Sequence, residues 1–263
     1  MSRSIENMRV LVTRPQPQAE KLCKQIETGG GIAIHLPVLA IEALQDKSGI
    51  LRKLQAMTDF KMGIFTSQNA AIHTLEILGG HLSLLQDMNL VAIGRSTAGI
   101  LQQAGIDKVI YPQRLSSSEI LLQLGIMQPE NIKGIKIIIF RGQGGRDLLA
   151  RQLQDRGAYV EYLEVYRRTP VHYDKSVLDE ICFRQKPDSI VITSGEGLHK
   201  LFDMLSSEQR EFMLNLPMIV LSERVAGMAV ALGVRNKPLV AEDTSDQGIL
   251  SAVQSLYRQA SDG

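Results

Sequence analysis

Polar side chains that can bind an anionic ligand recur where short apolar segments of this sequence end. They are hydroxyls, amides, glycines and arginines, with few carboxylates among them. Hydroxyl groups, guanidinium groups and the backbone N–H groups at helix starts all donate hydrogen bonds to anions. The sequence therefore predicts binding of a ligand that carries several anionic groups. The residues concerned are Arg14, Thr66, Ser67, Gln68, Asn69, Arg95, Ser96, Thr97, Arg141, Gly142, Gly144, Gly145, Arg146, Ser194, Gly195, Ser222, Glu223 and Arg224.

Each of these residues also has a structural interpretation. A serine or threonine at such a place can be a helix N-cap, worth about 1 kcal/mol, and an arginine can be a solvated charge, as for Arg167 and Arg168 at a strand end. The recurrence of such loops along the chain favours binding for the set as a whole. No nucleophile beside a base and no catalytic carboxylate pair can be read from the sequence. An enzyme with these residues would act mainly by holding and orienting its substrate.

Cysteine and histidine are scattered along the chain in no ligand-like spacing. Cys23 and Cys182 each fall in a predicted amphipathic helix, and the five histidines form no metal-binding motif. We therefore expect buried thiols, no disulfide and no metal cofactor.

The glycine-rich turn after Phe140 is open to a nucleotide-binding interpretation. Gly142 and Gly144 follow an apolar strand and precede a helix, with acidic residues about twenty positions later, as in a dinucleotide fingerprint. Asp147 stands where the third glycine would be, and its carboxylate would repel a pyrophosphate. The sequence thus disfavours a dinucleotide site.

The elements that position these residues form an internal repeat. Aligning Arg14 with Arg141 gives an offset of 141 − 14 = 127, which also pairs Gly30 with Gly157 and Ser67 with Ser194. A repeat of this length indicates two copies of one folding unit.

Apolar segments of strand length alternate with amphipathic helical segments throughout. This alternation predicts an α/β protein with parallel sheets covered on both faces. Two extended segments, Val38–Ala43 and Tyr159–Arg168, are long for strands of a single sheet and are predicted to cross between domains. We therefore expect a discontinuous domain of residues 1–38 plus 171–263, an inserted domain of residues 43–164, and connectors at 39–42 and 165–170. Two consecutive domains divided near Asn131 are the simpler alternative, but they leave both long segments unexplained.

Composition narrows the class of protein further. The chain has 263 residues, a net charge of +1, 44% hydrophobic residues and a mean hydropathy of −0.01. These values disfavour a nucleic-acid binder and a membrane protein. Because the first residues lead straight into a strand and show no signal peptide, we expect a cytoplasmic protein.

Several short motifs occur in an order that resembles the uroporphyrinogen-III synthase family. They are VLVTRP at 10–15, FTSQNA at 65–70, AIGRSTA at 92–98, FRGQGGRDLLARQLQDRGAYVEYLEVYRRTP at 140–170, ITSGEGL at 192–198 and LSERVA at 221–226. The resemblance implies two flavodoxin-like α/β domains joined by a two-stranded connector, with the active site in the cleft between them.

The resemblance also implies a reaction. The family's substrate is hydroxymethylbilane, a linear tetrapyrrole with eight carboxylates, and its product is uroporphyrinogen III, closed with ring D inverted and one water lost. The resemblance implies no metal or organic cofactor, and a monomer that receives its substrate from the preceding enzyme of the pathway.

Tyr166 in VYRRTP matches the tyrosine of the family's motif and is the expected proton donor. A phenol stays protonated at neutral pH and can donate to the leaving oxygen. Its structural alternative is a packed connector residue. Thr97 matches a threonine of the family's first-domain loop, whereas Ser222, Glu223 and Arg224 stand where the family often has threonine.

Two other functions remain open from the sequence. A hinged pair of α/β domains is also the plan of ligand receptors, so a binding protein for a polyanionic small molecule without catalysis is one alternative. A regulatory module with a degenerate site is another.

Overall fold

The computed structural model describes residues 5–113, 117–145 and 147–261. The chain folds into two compact units, the first formed by Met1–Ala40 with Thr169–Gly263 and the second by Ile41–Arg168.

Strands and helices alternate along most of the described chain. The strands are β1 (Arg9–Val12), β2 (Ile32–His35), β3 (Leu39–Ala43), β4 (Phe60–Phe65), β5 (Asn89–Ala92), β6 (Val109–Ile110), β7 (Lys136–Gly142), β8 (Tyr159–Pro170), β9 (Ser189–Ile192), β10 (Met218–Val220) and β11 (Leu239–Val240). The helices are α1 (Gln16–Thr28), α2 (Lys47–Ala56), α3 (Gln68–Leu78), α4 (Arg95–Gln103), α5 (Ser118–Leu121), α6 (Pro129–Ile132), α7 (Leu148–Asp155), α8 (Lys175–Asp179), α9 (Gly195–Met204), α10 (Ser207–Leu214), α11 (Glu223–Ala231) and α12 (Asp246–Ser261). Short 3₁₀ segments cover Leu82–Leu85 and Gly125–Met127, and a π-helical segment, Glu180–Gln185, extends α8.

The first unit is built on a five-stranded sheet of order β2-β1-β9-β10-β11. All neighbouring strands in this sheet are parallel. This is the flavodoxin-like 2-1-3-4-5 order, which reverses direction between β1 and β9.

The sheet of the second unit has the same spatial strand order, but its strands follow one another in a different order along the chain. Its sheet runs β8-β7-β4-β5-β6, with β3 added beside β8, and the pairs from β8 to β6 are parallel. The 127-residue offset maps β1 onto β7 and β9 onto β4. The strand–helix–strand that opens the first unit therefore closes the second. The predicted α/β class with doubly wound parallel sheets is confirmed, and each sheet reverses direction at the equivalent pair of strands.

Each sheet is buried on both faces by alternating side chains. In β7, Ile137 and Ile139 belong to one apolar cluster, while Ile138 and Phe140 belong to the cluster on the other face. The ring of Phe140 stacks on that of Phe65 with the centroids 4.3 Å apart. The first unit has its own two clusters, so each unit encloses a separate core.

Local sequence signals account for both ends of the first helix. Helix α1 follows Pro15, buries Ala19, Leu22 and Ile26 on one face, and stops at Gly29, as its apolar spacing predicts. Helix α8 differs, because the turns that follow it at Glu180–Gln185 adopt π-helical bonding.

Both cysteines are free. Cys182 is buried, and this burial raises the pKa of its thiol to about 11. Among the described residues, no helix is both long and apolar enough to cross a bilayer. The same residues contain no group of three or more His, Cys, Asp or Glu placed to hold a metal ion.

Candidate active-site cavity

A cavity of about 240 Å³ lies in the second unit, where the carboxyl ends of β4 and β7 meet. The strand order of this sheet reverses between these two strands, and ligands of open α/β sheets bind outside such a switch point. The lining side chains are mostly polar. They are Thr66, Ser67, Ser118, Ile139, Arg141, Gly142, Gly144, Gly145, Leu149, Tyr162, Tyr166 and Arg168.

Tyr166 of β8 is buried in the cavity wall, with 3% of its surface exposed. Its hydroxyl lies 3.1 Å from Ser67 Oγ, and its ring stacks against His73 of α3 with the centroids 5.6 Å apart. Its carbonyl accepts a 2.8 Å hydrogen bond from the Gln143 N–H. Three separate contacts thus fix the position of the phenol.

A β-bulge places Tyr166 in this wall. The pairing of β7 with β8 shifts between Arg141 and Gly142, so that Glu164 pairs with Arg141 and Tyr166 pairs with Gly142. Val165 and Tyr166 consequently pack into the same apolar cluster although they are adjacent. Bulges re-aim side chains and are common beside active sites.

The hydroxyls that follow β4 make hydrogen bonds within the protein. Thr66 Oγ1 donates to the Phe140 carbonyl at 3.0 Å, and Ser67 Oγ accepts from the Ala70 N–H at 3.0 Å as the N-cap of α3. Gln68 and Asn69 begin α3 and are half-buried, outside the cavity lining.

Arg141 is a buried cation that binds the glycine turn. Its guanidinium donates to the carbonyl of Gly142 at 3.2 Å and to the carbonyl of Gly144. It also pairs with Asp147 at 3.2 Å and lies 4.4 Å from the centre of the Tyr162 ring. The charge of Arg141 therefore stabilises the turn from inside.

The Asp147 carboxylate binds both Arg141 and Tyr162. It accepts hydrogen bonds from Tyr162 at 3.0 Å and from Arg141 at 3.2 Å, and these two bonds hold the pKa of Asp147 below its usual value. The pKa of Tyr162 is raised, first by burial and then by its bond to Asp147. Asp147 is thus ionised and compensated within the protein.

The glycines of the turn are required by its geometry. Gly144 and Gly145 have φ of 68° and 102°, in the left-handed region that favours glycine. A Cβ on Gly142 would lie 2.6 Å from Tyr166 Cζ. The Gly144 N–H donates to Glu164 Oε1 at 3.3 Å. Arg146, predicted here as a binding residue, lies outside the described residues.

The loop before α4 carries three more predicted binding residues. Arg95 and Ser96 are exposed at the start of the helix, whereas Thr97 is 3% exposed. None of the three lines the cavity described above.

The remaining predicted residues belong to the first unit. Ser194 and Ser222 are N-caps, accepting from the Gly197 and Val225 N–H groups at 3.0 and 3.4 Å. Gly195 is buried, Glu223 and Arg224 are exposed, and Arg224 lies 3.2 Å from the Met228 sulfur.

Arg14 is the first-unit counterpart of Arg141 and likewise binds an aspartate. Its guanidinium pairs with Asp246 at 2.5 Å and has a side-chain exposure of 10%. Each repeat therefore has a buried, aspartate-bound arginine near the end of its first strand.

The cavity brings together only part of the predicted set. It joins Thr66, Ser67, Arg141, Gly142, Gly144, Gly145 and Tyr166. The sequence reasoning left Tyr162, Arg168 and Ser118 out of the binding set. Arg168 lies two residues after Tyr166 along β8, and this spacing was a signal for it. Tyr162 precedes the bulge and Ser118 lies outside β8, so the sequence carried no signal for either.

A family model and curated relatives place the chain in one family. The family model described as uroporphyrinogen-III synthase HemD matches residues 20–251. The uroporphyrinogen-III synthase of Escherichia coli is 33% identical over 249 residues, covering 94% of this chain and 100% of that protein. That of Salmonella typhimurium is 32% identical over 255 residues, with the same shares covered.

Solved structures agree in fold. A mutant uroporphyrinogen III synthase from Thermus thermophilus superposes with a TM-score of 0.66 at 19% identity, covering 97% of this chain and 100% of that one. The uroporphyrinogen-III synthetase of Helicobacter pylori gives a TM-score of 0.62 at 17% identity, covering 95% and 99%. With the family model matching most of its length, the chain belongs to the uroporphyrinogen-III synthase family.

Proposed function

We propose that this protein cyclises hydroxymethylbilane to uroporphyrinogen III, with inversion of ring D and loss of one water, as a hydro-lyase of tetrapyrrole biosynthesis. The observation that carries the proposal is the family match over residues 20–251. The relatives with 33% and 32% identity bear the name of this enzyme, and none of the relatives named above is a receptor.

The residues of the cavity suit a reaction governed by geometry. Left to itself, the linear bilane closes without inverting ring D, so the enzyme must select one ring-closing conformation. A side chain fixed by several contacts, as Tyr166 is, loses little freedom when a substrate binds. At about 240 Å³ the cavity is smaller than pockets for whole ligands of about 300–1,000 Å³. It would therefore take one portion of the tetrapyrrole.

Tyr166 supplies the proton in the proposed mechanism. The pyrrole nitrogen of ring A expels the terminal hydroxyl, which leaves as water when the phenol donates to it. The electron-poor azafulvene that remains, still protonated on its nitrogen, is attacked by the substituted carbon of ring D. The resulting spiro intermediate fragments and recloses with ring D inverted.

Several groups can donate hydrogen bonds to the substrate carboxylates. The exposed backbone of Gly145 and the half-buried side chain of Arg168 line the cavity of the second unit. Arg95, Ser96 and Arg224 are exposed at helix starts, where N–H groups and the helix dipole favour anions. Arg14 and Arg141 are poorer candidates, because each already binds an aspartate.

The experiment is a product analysis. The purified protein is incubated with hydroxymethylbilane, the products are oxidised, and the type I and type III isomers are separated. We expect the type III isomer in excess over a protein-free control. Type I alone would reject the proposal and leave a non-catalytic binding protein as the explanation.

We also propose that the protein works as a cytoplasmic monomer that receives the bilane from the preceding enzyme of the pathway. Several of the larger exposed apolar side chains lie in different elements, such as Ile32 in β2, Ile110 in β6 and Val230 in α11, and this spread favours the monomer. Sedimentation of the free protein tests this state, and a stable dimer would contradict it.

A further inference from the structure

Ser67 is the residue that joins the tyrosine of the cavity to the start of a helix. Its Oγ lies 3.1 Å from the Tyr166 hydroxyl and 3.0 Å from the Ala70 N–H. Helix α3 begins at the next residue, Gln68. The same side chain is therefore both the N-cap of α3 and the neighbour of the phenol.

The direction of the bond from Ala70 is fixed by the groups involved, whereas either hydroxyl can donate in the bond between Ser67 and Tyr166. An amide N–H can only donate, so Ser67 Oγ must accept from Ala70. A hydroxyl has one proton and can accept at its remaining lone pair. The Tyr166 oxygen is an acceptor within reach of the serine proton, and in that arrangement the phenol keeps its own proton free for the cavity.

The other contacts of Tyr166 prevent the ring from turning away from Ser67. His73 stacks on the ring from α3, and Gly142 approaches it so closely that an added Cβ would lie 2.7 Å from Cε2. Backbone pairing to Gln143 fixes the strand at this residue. Ser67 therefore meets the phenol in one orientation.

We propose that Ser67 is a positioning residue for Tyr166: it donates to the phenol oxygen, directs the phenol proton into the cavity and stabilises the phenolate after that proton is given up. The inference rests on the proposed function. It replaces the predicted contact of Ser67 with substrate carboxylates by a role exerted through Tyr166.

Each proton that moves in this step has a donor and an acceptor. The Tyr166 O–H bond breaks, the proton joins the hydroxyl that leaves the bilane, and water forms. The phenolate oxygen then accepts a hydrogen bond from the Ser67 hydroxyl at the N-terminus of α3, where negative charge is favoured. The proton released when the last pyrrole ring regains its aromaticity returns to the phenolate.

The kinetic test is a double-mutant cycle between Ser67→Ala and Tyr166→Phe. Hydrogen bonds to charged groups are worth enough for Ser67→Ala to lower kcat by about 10- to 100-fold, and we expect KM to change less than about two-fold. In the Tyr166→Phe background the same change is expected to have almost no further effect on kcat. Ser67→Thr, which keeps the hydroxyl, is expected to restore most of the rate.

Ser206→Ala is the matched control for the loss of a cap. Ser206 caps α10 in the other unit and accepts from the Gln209 N–H, so its removal costs helix stability without touching the cavity. We expect normal kcat for this variant. A rise in KM with unchanged kcat for Ser67→Ala, or independent multiplication of the two losses in the cycle, would overturn the proposal.

A spectroscopic measurement separates failure of the inference from failure of the proposed function. With ¹³Cζ-labelled tyrosine, the Tyr166 signal is assigned by its loss in Tyr166→Phe. We expect this signal to shift in Ser67→Ala and to stay in place in Ser206→Ala. An unmoved signal would refute the hydrogen bond whatever the activity, whereas a shifted signal without any type III product would reject only the proposed reaction.

Discussion

At the scale of single residues, the cavity separates groups that are free to react from groups that hold the fold. Arg141 and Asp147 are bound to each other and to the glycine turn, so neither is available to a ligand. The Tyr166 hydroxyl faces the cavity with one serine beside it. Tyr166 is therefore the residue whose removal should affect catalysis most directly.

Tyr166→Phe should lower the rate of type III formation by about 100-fold or more, the usual worth of a positioned acid. The ring and its stacking on His73 remain, so the melting temperature should fall only slightly, because one hydrogen bond is worth about 1 kcal/mol. Isomer analysis and thermal denaturation of the same sample provide the measurement. Full activity with unchanged folding would remove Tyr166 as the acid.

Gly142→Ala tests the packing behind the phenol. The new Cβ would lie 2.6 Å from Tyr166 Cζ, too close for any relaxed contact, so the ring must move away from Ser67. We expect a loss of about 1–3 kcal/mol in the free energy of unfolding together with a lower kcat.

Gly227→Ala is the control for this substitution, because a Cβ at this position of α11 meets nothing within 4 Å. Alanine inside a helix should stabilise the protein by about 0.5–1 kcal/mol. Urea denaturation of both variants makes the comparison. If the two behaved alike, the close approach at Gly142 would have no energetic meaning.

At the scale of elements, the glycine turn between β7 and α7 depends on an ionised Asp147. The bonds from Tyr162 and Arg141 hold the pKa of Asp147 below its usual value. A carboxylate with a depressed pKa in the folded state adds stability above its unfolded pKa, and this stability is lost as pH falls through the folded value.

Asp147→Asn should therefore lower the urea midpoint at pH 7. The difference from the parent protein should shrink as pH falls below about 3.9, the ordinary pKa of aspartate. Asp107→Asn, on the exposed surface between α4 and β6, is the control and should leave the midpoint nearly unchanged. A difference that stayed constant from pH 7 to the acid limit would contradict this role of Asp147.

The elements also show which local signals the sequence carries. Apolar spacing and flanking Pro15 and Gly29 were enough to define α1. Helix α10 has a weak apolar pattern because it buries only Gln209 and Met213, although its capping box of Ser206 and Gln209 is visible in the sequence.

The bulge in β8 could not be predicted from the sequence. Alternation along a strand puts neighbouring side chains on opposite faces, which would separate Tyr166 from Val165. The shift in pairing with β7 brings both into one cluster. Pairing register depends on the partner strand, so the motif could identify Tyr166 while its surroundings, His73 included, required the structure.

At the scale of the whole molecule, the repeat explains the order of the strands. Lys136, the first residue of β7, is the 127-residue counterpart of Arg9 in β1, and the two sheets share one spatial order. The strand–helix–strand opens the first unit and closes the second. The second unit is thus a circularly permuted copy inserted into the first.

This insertion predicts that Ile41–Arg168 folds when expressed alone. The unit contains both of its apolar clusters and a complete sheet of β8-β7-β4-β5-β6, and its chain is continuous. We expect a cooperative urea transition and an α/β circular dichroism spectrum.

The first unit should survive removal of the insert for a related reason. The Val171 N–H donates to the Val38 carbonyl at 3.1 Å, so the two points at which the chain leaves and re-enters this unit are adjacent. A short glycine–serine linker from Ala40 to Thr169 can join them at little entropic cost, because loop closure entropy grows slowly with length. We expect this shortened protein to unfold in one transition that coincides at several probes. If the shortened protein shows no cooperative transition while the isolated second unit does, the first unit depends on the insert to fold.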